Sequence, residues 1–128
     1  MELKFKVWDK NKNKMLHWGD DFAYITDYKI VCLNNGGMVM PNNVETLLYS
    51  GLLDDTKNNM CEADIIECQI GHFGKYICEL VWNNGGLFFQ PIKPNFSQRF
   101  VIWEYIIDPH IIGNRYETPE LLKNDAQD

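Results

Sequence analysis

The chain has 128 residues, of which 45% are apolar and 13% aromatic, and its 18 acidic and 12 basic side chains give a formal charge of −6. This length and composition exclude a disordered chain, because burial of the apolar side chains can offset the entropy of ordering the backbone. No uncharged apolar run approaches the roughly 18 residues that cross a bilayer, and the charged start differs from a signal peptide. We therefore expect one cytoplasmic domain over residues 1–128, without a membrane span.

A basic strand and turn open the chain and form a predicted hairpin over residues 1–18. Apolar residues alternate with Lys4, Lys6 and Trp8, which is the period of a half-buried strand with an exposed basic face. The first 16 residues carry a local charge of +3 and the remainder carries −9. Because a basic strand with an aromatic side chain can follow a phosphate backbone, Lys4, Lys6 and Trp8 are the candidate contacts for nucleic acid or a partner. The negative overall charge opposes nucleic-acid binding, which is therefore the alternative function.

Two Asn-Asn-Gly-Gly quartets, at residues 34–37 and 83–86, predict β-hairpins. Asn-Gly pairs accept the positive φ of a type I′ turn, and apolar runs flank both quartets. A further turn at Phe73–Lys75 predicts a three-stranded meander whose single apolar face includes Trp82. A more fully buried strand is predicted at Arg99–Ile107, with Trp103 in the core.

Short strands at close spacing favour a small barrel, because closure removes exposed strand edges. The barrel core is predicted at about 28–107. After it, Thr118, Pro119 and Glu120 form an N-cap, a first-turn proline and an early acid, which predict a short helical turn. Residues 108–128 are thus expected to form a capped turn and a polar tail. The predicted fold class is all-β.

No local pattern of a nucleophile, a histidine and an orienting acid is present. His72 and His110 lie far apart in sequence and are interpreted as solvated loop or strand-end residues. The paired acids Asp20–Asp21 and Asp54–Asp55 are typical of solvated turns, in which Asp side chains also hydrogen-bond nearby backbone N–H groups. We therefore predict no enzyme, no catalytic residues and no cofactor.

One possible metal site is considered at Cys68, His72 and Cys78, because the first two share a strand face and the third lies across the turn. The two cysteines are expected to be diagonal rather than opposed, and free cysteines usually behave as small buried hydrophobes. No metal site is predicted. Whether these three residues meet stays open.

Several blocks of residues, in order along the chain, resemble one family. They are Leu3–Asp9 with Lys14–Met15, then Tyr49–Leu52 with Asp54, Glu62–Ile66, Ile112–Glu117 and Pro119–Leu122. This pattern is similar to that of YopX-like proteins, which are small proteins carried by phages and prophages of low-GC bacteria. The resemblance implies a small SH3-like β-barrel and a bacterial host cytoplasm, and it implies no catalytic activity.

Three positions depart from the family pattern. Ser50 replaces a threonine, Ala63 stands where a glycine precedes the acid, and a turn glycine expected near Lys57 is missing. The last two changes remove residues that accept positive φ freely. The shape of the loop at residues 53–60 therefore stays open.

The sequence favours a non-enzymatic accessory or protein-interaction module of phage or prophage origin. Its partner would be an unidentified host or phage protein, and we also expect self-association into a homo-oligomer. Nucleic-acid binding through the basic N-terminal strand is the alternative, and an uncharacterised enzyme is third.

Overall fold

The computed structural model describes residues 5–83, 85–94 and 101–123. The fold is mainly β, as predicted. The chain divides into two compact units, Met1–Tyr49 and Ser50–Asp128, and each has its own hydrophobic core. The single domain predicted over residues 1–128 stays a prediction. Across the described ranges, no helix combines the length and the apolar character needed to cross a bilayer.

The first unit is built from short antiparallel strands. They are β1 (Phe5–Asp9), β2 (Lys14–Leu16), β3 (Phe22–Ile25), β4 (Val31–Leu33), β5 (Met38–Val39) and the beginning of β6 (Val44–Leu53). Strands β2, β1 and β6 pair in that order, and β3, β4 and β5 form a three-stranded sheet. The first Asn-Asn-Gly-Gly quartet joins β4 to β5, with Cys32 opposite Met38, so this predicted hairpin is confirmed.

Aromatic rings close the core of the first unit. The ring of Trp18 lies 4.9 Å from that of Phe5 and 5.6 Å from that of Phe22, both edge to face. Phe22, Val7 and Val31 are fully buried in this core. This packing lets strands of only two to five residues form a stable unit, because aromatic side chains bury large areas.

The second unit contains the end of β6 and five further strands. These are β7 (Asn59–Cys61), β8 (Asp64–Ile70), β9 (Gly74–Asn83), β10 (Gly86–Lys93) and β11 (Ile106–Asn114). The last four form an antiparallel sheet in the order β10-β9-β8-β11. The hairpin predicted at the second Asn-Asn-Gly-Gly quartet is confirmed, since β9 and β10 pair on either side of it.

The turn between β8 and β9 lies at Gly71–Phe73, two residues before the predicted position. A shift by an even number keeps each side chain on its predicted face of the sheet. Cys68 and Cys78 therefore face the core and are buried, as expected.

Two predictions about tryptophans in this unit are wrong. Trp82 is 49% exposed, because it lies at the end of β9 opposite Leu87, which is itself only partly buried. Trp103 lies in a 3-10 turn, Trp103–Tyr105, and not in a buried strand. It stacks on Phe89 with ring centroids 6.1 Å apart and stays 38% exposed. Strand β11 begins only at Ile106, and residues 99 and 100 of the predicted strand lie outside the described residues.

The end of the described chain packs against β11 and β9. A 3-10 turn at Pro119–Leu122 follows Thr118, as predicted, but the Thr118 hydroxyl does not cap it. The hydroxyl instead accepts the Asn114 amide at 2.9 Å and donates to the Asn114 carbonyl at 3.0 Å. Nearby, Arg115 donates two hydrogen bonds, of 2.6 and 2.8 Å, to the buried carboxylate of Glu79.

Candidate functional site

A tight turn after β6 buries the carboxylate of Asp54, a residue that is only 5% exposed as a whole. Its Oδ1 accepts the Thr56 amide at 3.0 Å, the Thr56 hydroxyl at 2.8 Å and the Asn58 amide at 2.8 Å. Lys57 adopts a φ of 68°, so a non-glycine residue takes the left-handed conformation in this turn. The loop at 53–60 is thus a hydrogen-bonded turn even without the expected glycine.

Strand β11 holds this turn from the other side. Asp54 Oδ2 accepts the Ile111 amide at 3.1 Å, and the Asp55 amide donates to the Pro109 carbonyl at 2.7 Å. These two bonds lie on either side of His110, where the pairing of β11 with β8 is irregular. The imidazole of His110 is therefore placed beside the two carboxylates.

Asp54, Asp55 and His110 form what we call the acid–histidine cluster. His110 Nδ1 lies 2.8 Å from Asp55 Oδ1 and 4.0 Å from Asp54 Oδ2. One side-chain N or O atom from each residue lies within 4.8 Å of the others. Asp54 is buried whereas the other two side chains are half-exposed, so the cluster is accessible from one side.

Electrostatic interactions shift two pKa values in this cluster. The hydrogen bond to Asp55 raises the pKa of His110, partial burial opposes this rise, and the charges of Asp55, Asp54 and Glu67 add to it. Burial alone would raise the pKa of Asp54, but the hydrogen bonds from Ile111, Asn58 and Thr56 lower it overall. Asp54 is thus held as a buried carboxylate, and His110 binds a proton more tightly than an ordinary histidine.

A cavity of about 330 Å³ opens beside the acid–histidine cluster. Its charged lining is mainly acidic. The lining residues are Asp55, Glu67, Cys68, Gln69, Lys75, Asp108 and His110. Glu67 lies on β8 directly opposite His110. Because the lining contains three carboxylates but only one lysine and one histidine, the cavity favours a cationic ligand over an anionic one.

The sequence did not predict this cluster. The interpretation of Asp54–Asp55 as a solvated turn is wrong for Asp54, which is buried. His110 is separated from the acids by 55 residues. Only the pairing of β11 with the turn brings them together, and no local spacing signals it. The one available hint was an acid directly after a long strand, where a side chain can close a turn.

The exposed basic face predicted for the first strand is wrong for Lys6 and Trp8, which are only 8% and 9% exposed. Both lie in β1, which is a central strand between β2 and β6. Lys4 lies outside the described residues. The predicted contact role of these three residues stays a prediction.

Cys68 and Cys78 are diagonal across β8 and β9, as predicted, with their Sγ atoms 3.8 Å apart. His72 lies exposed in the turn between these strands and does not join them. Within the described part of the chain, the residues that could jointly hold a metal ion are those of the acid–histidine cluster instead.

A separate surface feature lies on the sheet of β3, β4 and β5. Tyr24 pairs with Cys32, and Cys32 pairs with Met38, so these three side chains form a row across one face. Tyr24 is 58% exposed and Met38 is 67% exposed, whereas Val31 and Val39 are buried in the core. We call Tyr24, Cys32 and Met38 the outer row. Two further exposed side chains, Tyr28 and Met40, come shortly after the ends of β3 and β5 in the sequence.

Comparison with known proteins identifies relatives of this chain. A family model described as "YopX protein" matches residues 4–123. Among solved structures, protein EF1440 from Enterococcus faecalis is 21% identical with a TM-score of 0.63, covering 96% of this chain and 99% of that one. Protein yopX from Bacillus subtilis is 19% identical with a TM-score of 0.62, covering 94% and 95%. No curated protein matches. The match over nearly the whole sequence shows that the chain belongs to the YopX protein family.

Proposed function

We propose that this protein is a non-enzymatic interaction module that binds a partner protein through the outer row. The exposure of Tyr24 and Met38 on either side of Cys32, on one face of the sheet, carries the proposal. Single exposed apolar residues are ordinary, but a contiguous aromatic and methionine surface is typical of protein contacts. The sheet supports this surface from behind through Val31 and Val39, so little ordering is needed on binding.

The charge distribution indicates what kind of partner fits. Residues 1–49 contain six lysines and six acids, whereas residues 50–128 carry the whole net charge of −6. The outer row therefore lies in a unit with no net charge. An apolar, uncharged protein surface fits it better than a polyanion, which supports a protein partner over the nucleic-acid alternative.

The phage or prophage setting implied by the sequence resemblance is part of this proposal. In that setting the module would act as an accessory protein on a host or phage partner. Self-association, which the sequence also led us to expect, would use a second copy of the same chain in place of that partner.

Photo-crosslinking tests the proposal. Met38 is replaced by p-benzoylphenylalanine, and Lys12, which is exposed in the turn between β1 and β2 of the same unit, is replaced in a control. We expect Met38 to give a discrete adduct with one protein and Lys12 to give none. The purified partner should then bind the unchanged chain. It should bind the Tyr24→Lys variant more weakly, because the variant would bury a charge in an apolar contact.

Three results would count against this function. They are an absence of adducts at Met38, equal adducts at both positions, and binding of the partner unaffected by Tyr24→Lys. Adducts formed only between copies of the chain would assign the outer row to self-association, and a separate partner protein would then be rejected.

A further inference from the structure

We propose that the acid–histidine cluster binds a divalent transition-metal ion, with Zn²⁺ as the ion that fits its donor atoms best. The ligands would be Asp54 Oδ2, Asp55 Oδ1 and His110 Nδ1. This inference is independent of the outer row, which lies in the other unit of the chain.

The spacing of the donor atoms suits a small ion. Ligand atoms about 2.1 Å from a tetrahedral metal lie roughly 3.4 Å from one another. The observed separations from His110 Nδ1, 2.8 Å to Asp55 and 4.0 Å to Asp54, lie on either side of that value. Small rotations of the Asp55 and His110 side chains would therefore open a metal-sized space. Two metal bonds would replace the hydrogen bond between them, and the proton of that bond would be released to solvent.

The carboxylate of Asp54 is the fixed part of this site. Three donors hold its Oδ1, and the Ile111 amide holds its Oδ2. A carboxylate oxygen has two acceptor positions, so Oδ2 retains one on top of the Ile111 bond. Carboxylates that bind metal ions are usually held by hydrogen bonds of this kind, because the donors fix the orientation of the carboxylate.

The burial of Asp54 is a second observation that points to a cation. Its side chain is 1% exposed, and its only ion-pair contact among the described residues is the distant one to His110 at 4.0 Å. Buried carboxylates are normally paired with a cation or coordinate a metal. The adjoining cavity adds the carboxylates of Glu67 and Asp108, which would draw a cation toward the same place.

The mixed donor set selects the type of metal. One imidazole nitrogen with two carboxylate oxygens suits Zn²⁺ and neighbouring first-row ions, whereas Mg²⁺ and Ca²⁺ prefer oxygen ligands alone. A thiolate is not part of the set, because Cys68 is buried with its Sγ beside that of Cys78. Three protein ligands would leave one coordination position facing the cavity.

Calorimetric titration of the chelator-treated full chain with ZnCl₂ tests this site. We expect one equivalent to bind, and we expect Asp55→Asn and His110→Gln each to weaken binding by about tenfold or more. His72→Gln is the matched control, because His72 is an exposed histidine of the same unit outside the cluster. Asp54 is left unchanged, since its carboxylate also holds the turn together.

Cobalt provides a second measurement that does not depend on heat. Co²⁺ bound at the site should give visible absorption that excess Zn²⁺ abolishes and that is absent from His110→Gln. Circular dichroism of each variant checks that the fold is retained. The site is rejected if Zn²⁺ does not saturate, if His72→Gln weakens binding as much as His110→Gln, or if Asp55→Asn binds Zn²⁺ as tightly as the unchanged chain.

Discussion

The carboxylate of Asp54 accepts four hydrogen bonds and so joins the turn after β6 to strand β11. Asp54→Ala should lower the free energy of unfolding by about 2–3 kcal/mol, because it leaves several donors without their acceptor. Asp55→Ala is the control and should cost less than about 1 kcal/mol, since its pair with His110 is half-exposed. Urea unfolding measures the free energy of unfolding of both variants. A loss in Asp54→Ala no larger than that in Asp55→Ala would contradict the role of Asp54 in holding the turn.

Asp54 also predicts how stability depends on pH. Its pKa is lowered in the folded chain from the ordinary value of 3.8. A depressed folded pKa contributes stability above the unfolded pKa, and that stability is lost as the pH falls through the folded pKa. Part of the acid sensitivity of the chain should therefore disappear in Asp54→Asn, which has no carboxylate to protonate. Urea unfolding at several acidic pH values checks this. If the free energy of unfolding of Asp54→Asn falls with decreasing pH as steeply as that of the unchanged chain, the prediction is wrong.

Lys57 adopts a positive φ in an exposed position of the same turn. Lys57→Gly should raise the free energy of unfolding by about 1 kcal/mol, because a left-handed conformation is strained for residues with a Cβ atom. Lys75→Gly is the matched control. Lys75 is also exposed but lies in β9, where glycine should destabilise the strand. The thermal unfolding temperatures of the two variants should shift in opposite directions. A loss of stability in Lys57→Gly would contradict the strain argument.

At the scale of elements, β11 and the turn after it are packed too closely for a side chain at Gly113. A Cβ atom there would lie 2.1 Å from Thr118 Oγ1 and 2.9 Å from Leu121 Cδ1. Gly113→Ala should therefore displace the 3-10 turn Pro119–Leu122 and cost about 1–3 kcal/mol.

Gly86→Ala is the control for this substitution. There the nearest atom is the Phe88 ring edge, at 3.2 Å, which can give way more easily than the Thr118 side chain. Denaturant unfolding gives both costs, and hydrogen exchange shows whether residues 118–122 lose protection in Gly113→Ala alone. Retained protection there would mean that the turn does not depend on Gly113.

Elements with local signals were predictable from the sequence, and those that depend on distant contacts were not. Asn-Gly pairs fixed two hairpins because the turn chemistry lies within four residues. The apolar residues Trp103 and Tyr105 suggested a buried strand, yet the backbone there forms a 3-10 turn. The acid–histidine cluster was missed for the same reason, because only the docking of β11 brings His110 to Asp55 across 55 residues.

At the scale of the whole molecule, the net charge and the hydrophobic cores are both divided along the chain. Residues 50–128 carry the net charge of −6 while residues 1–49 balance to zero. Val31 lies in the core of the first unit and Leu80 in that of the second. Two separate cores allow each unit to open with its own free energy, because local unfolding follows contiguous packed regions.

Hydrogen exchange measures whether the units open separately. Val31→Ala and Leu80→Ala both truncate a fully buried side chain, with expected costs of about 1–2 and 2–5 kcal/mol. We expect Val31→Ala to speed amide exchange mainly in β1, β3 and β4, and Leu80→Ala to speed it mainly in β8 and β9. If either variant speeds exchange equally in all strands, the chain unfolds as one cooperative unit, and the single domain predicted from the sequence is the better description.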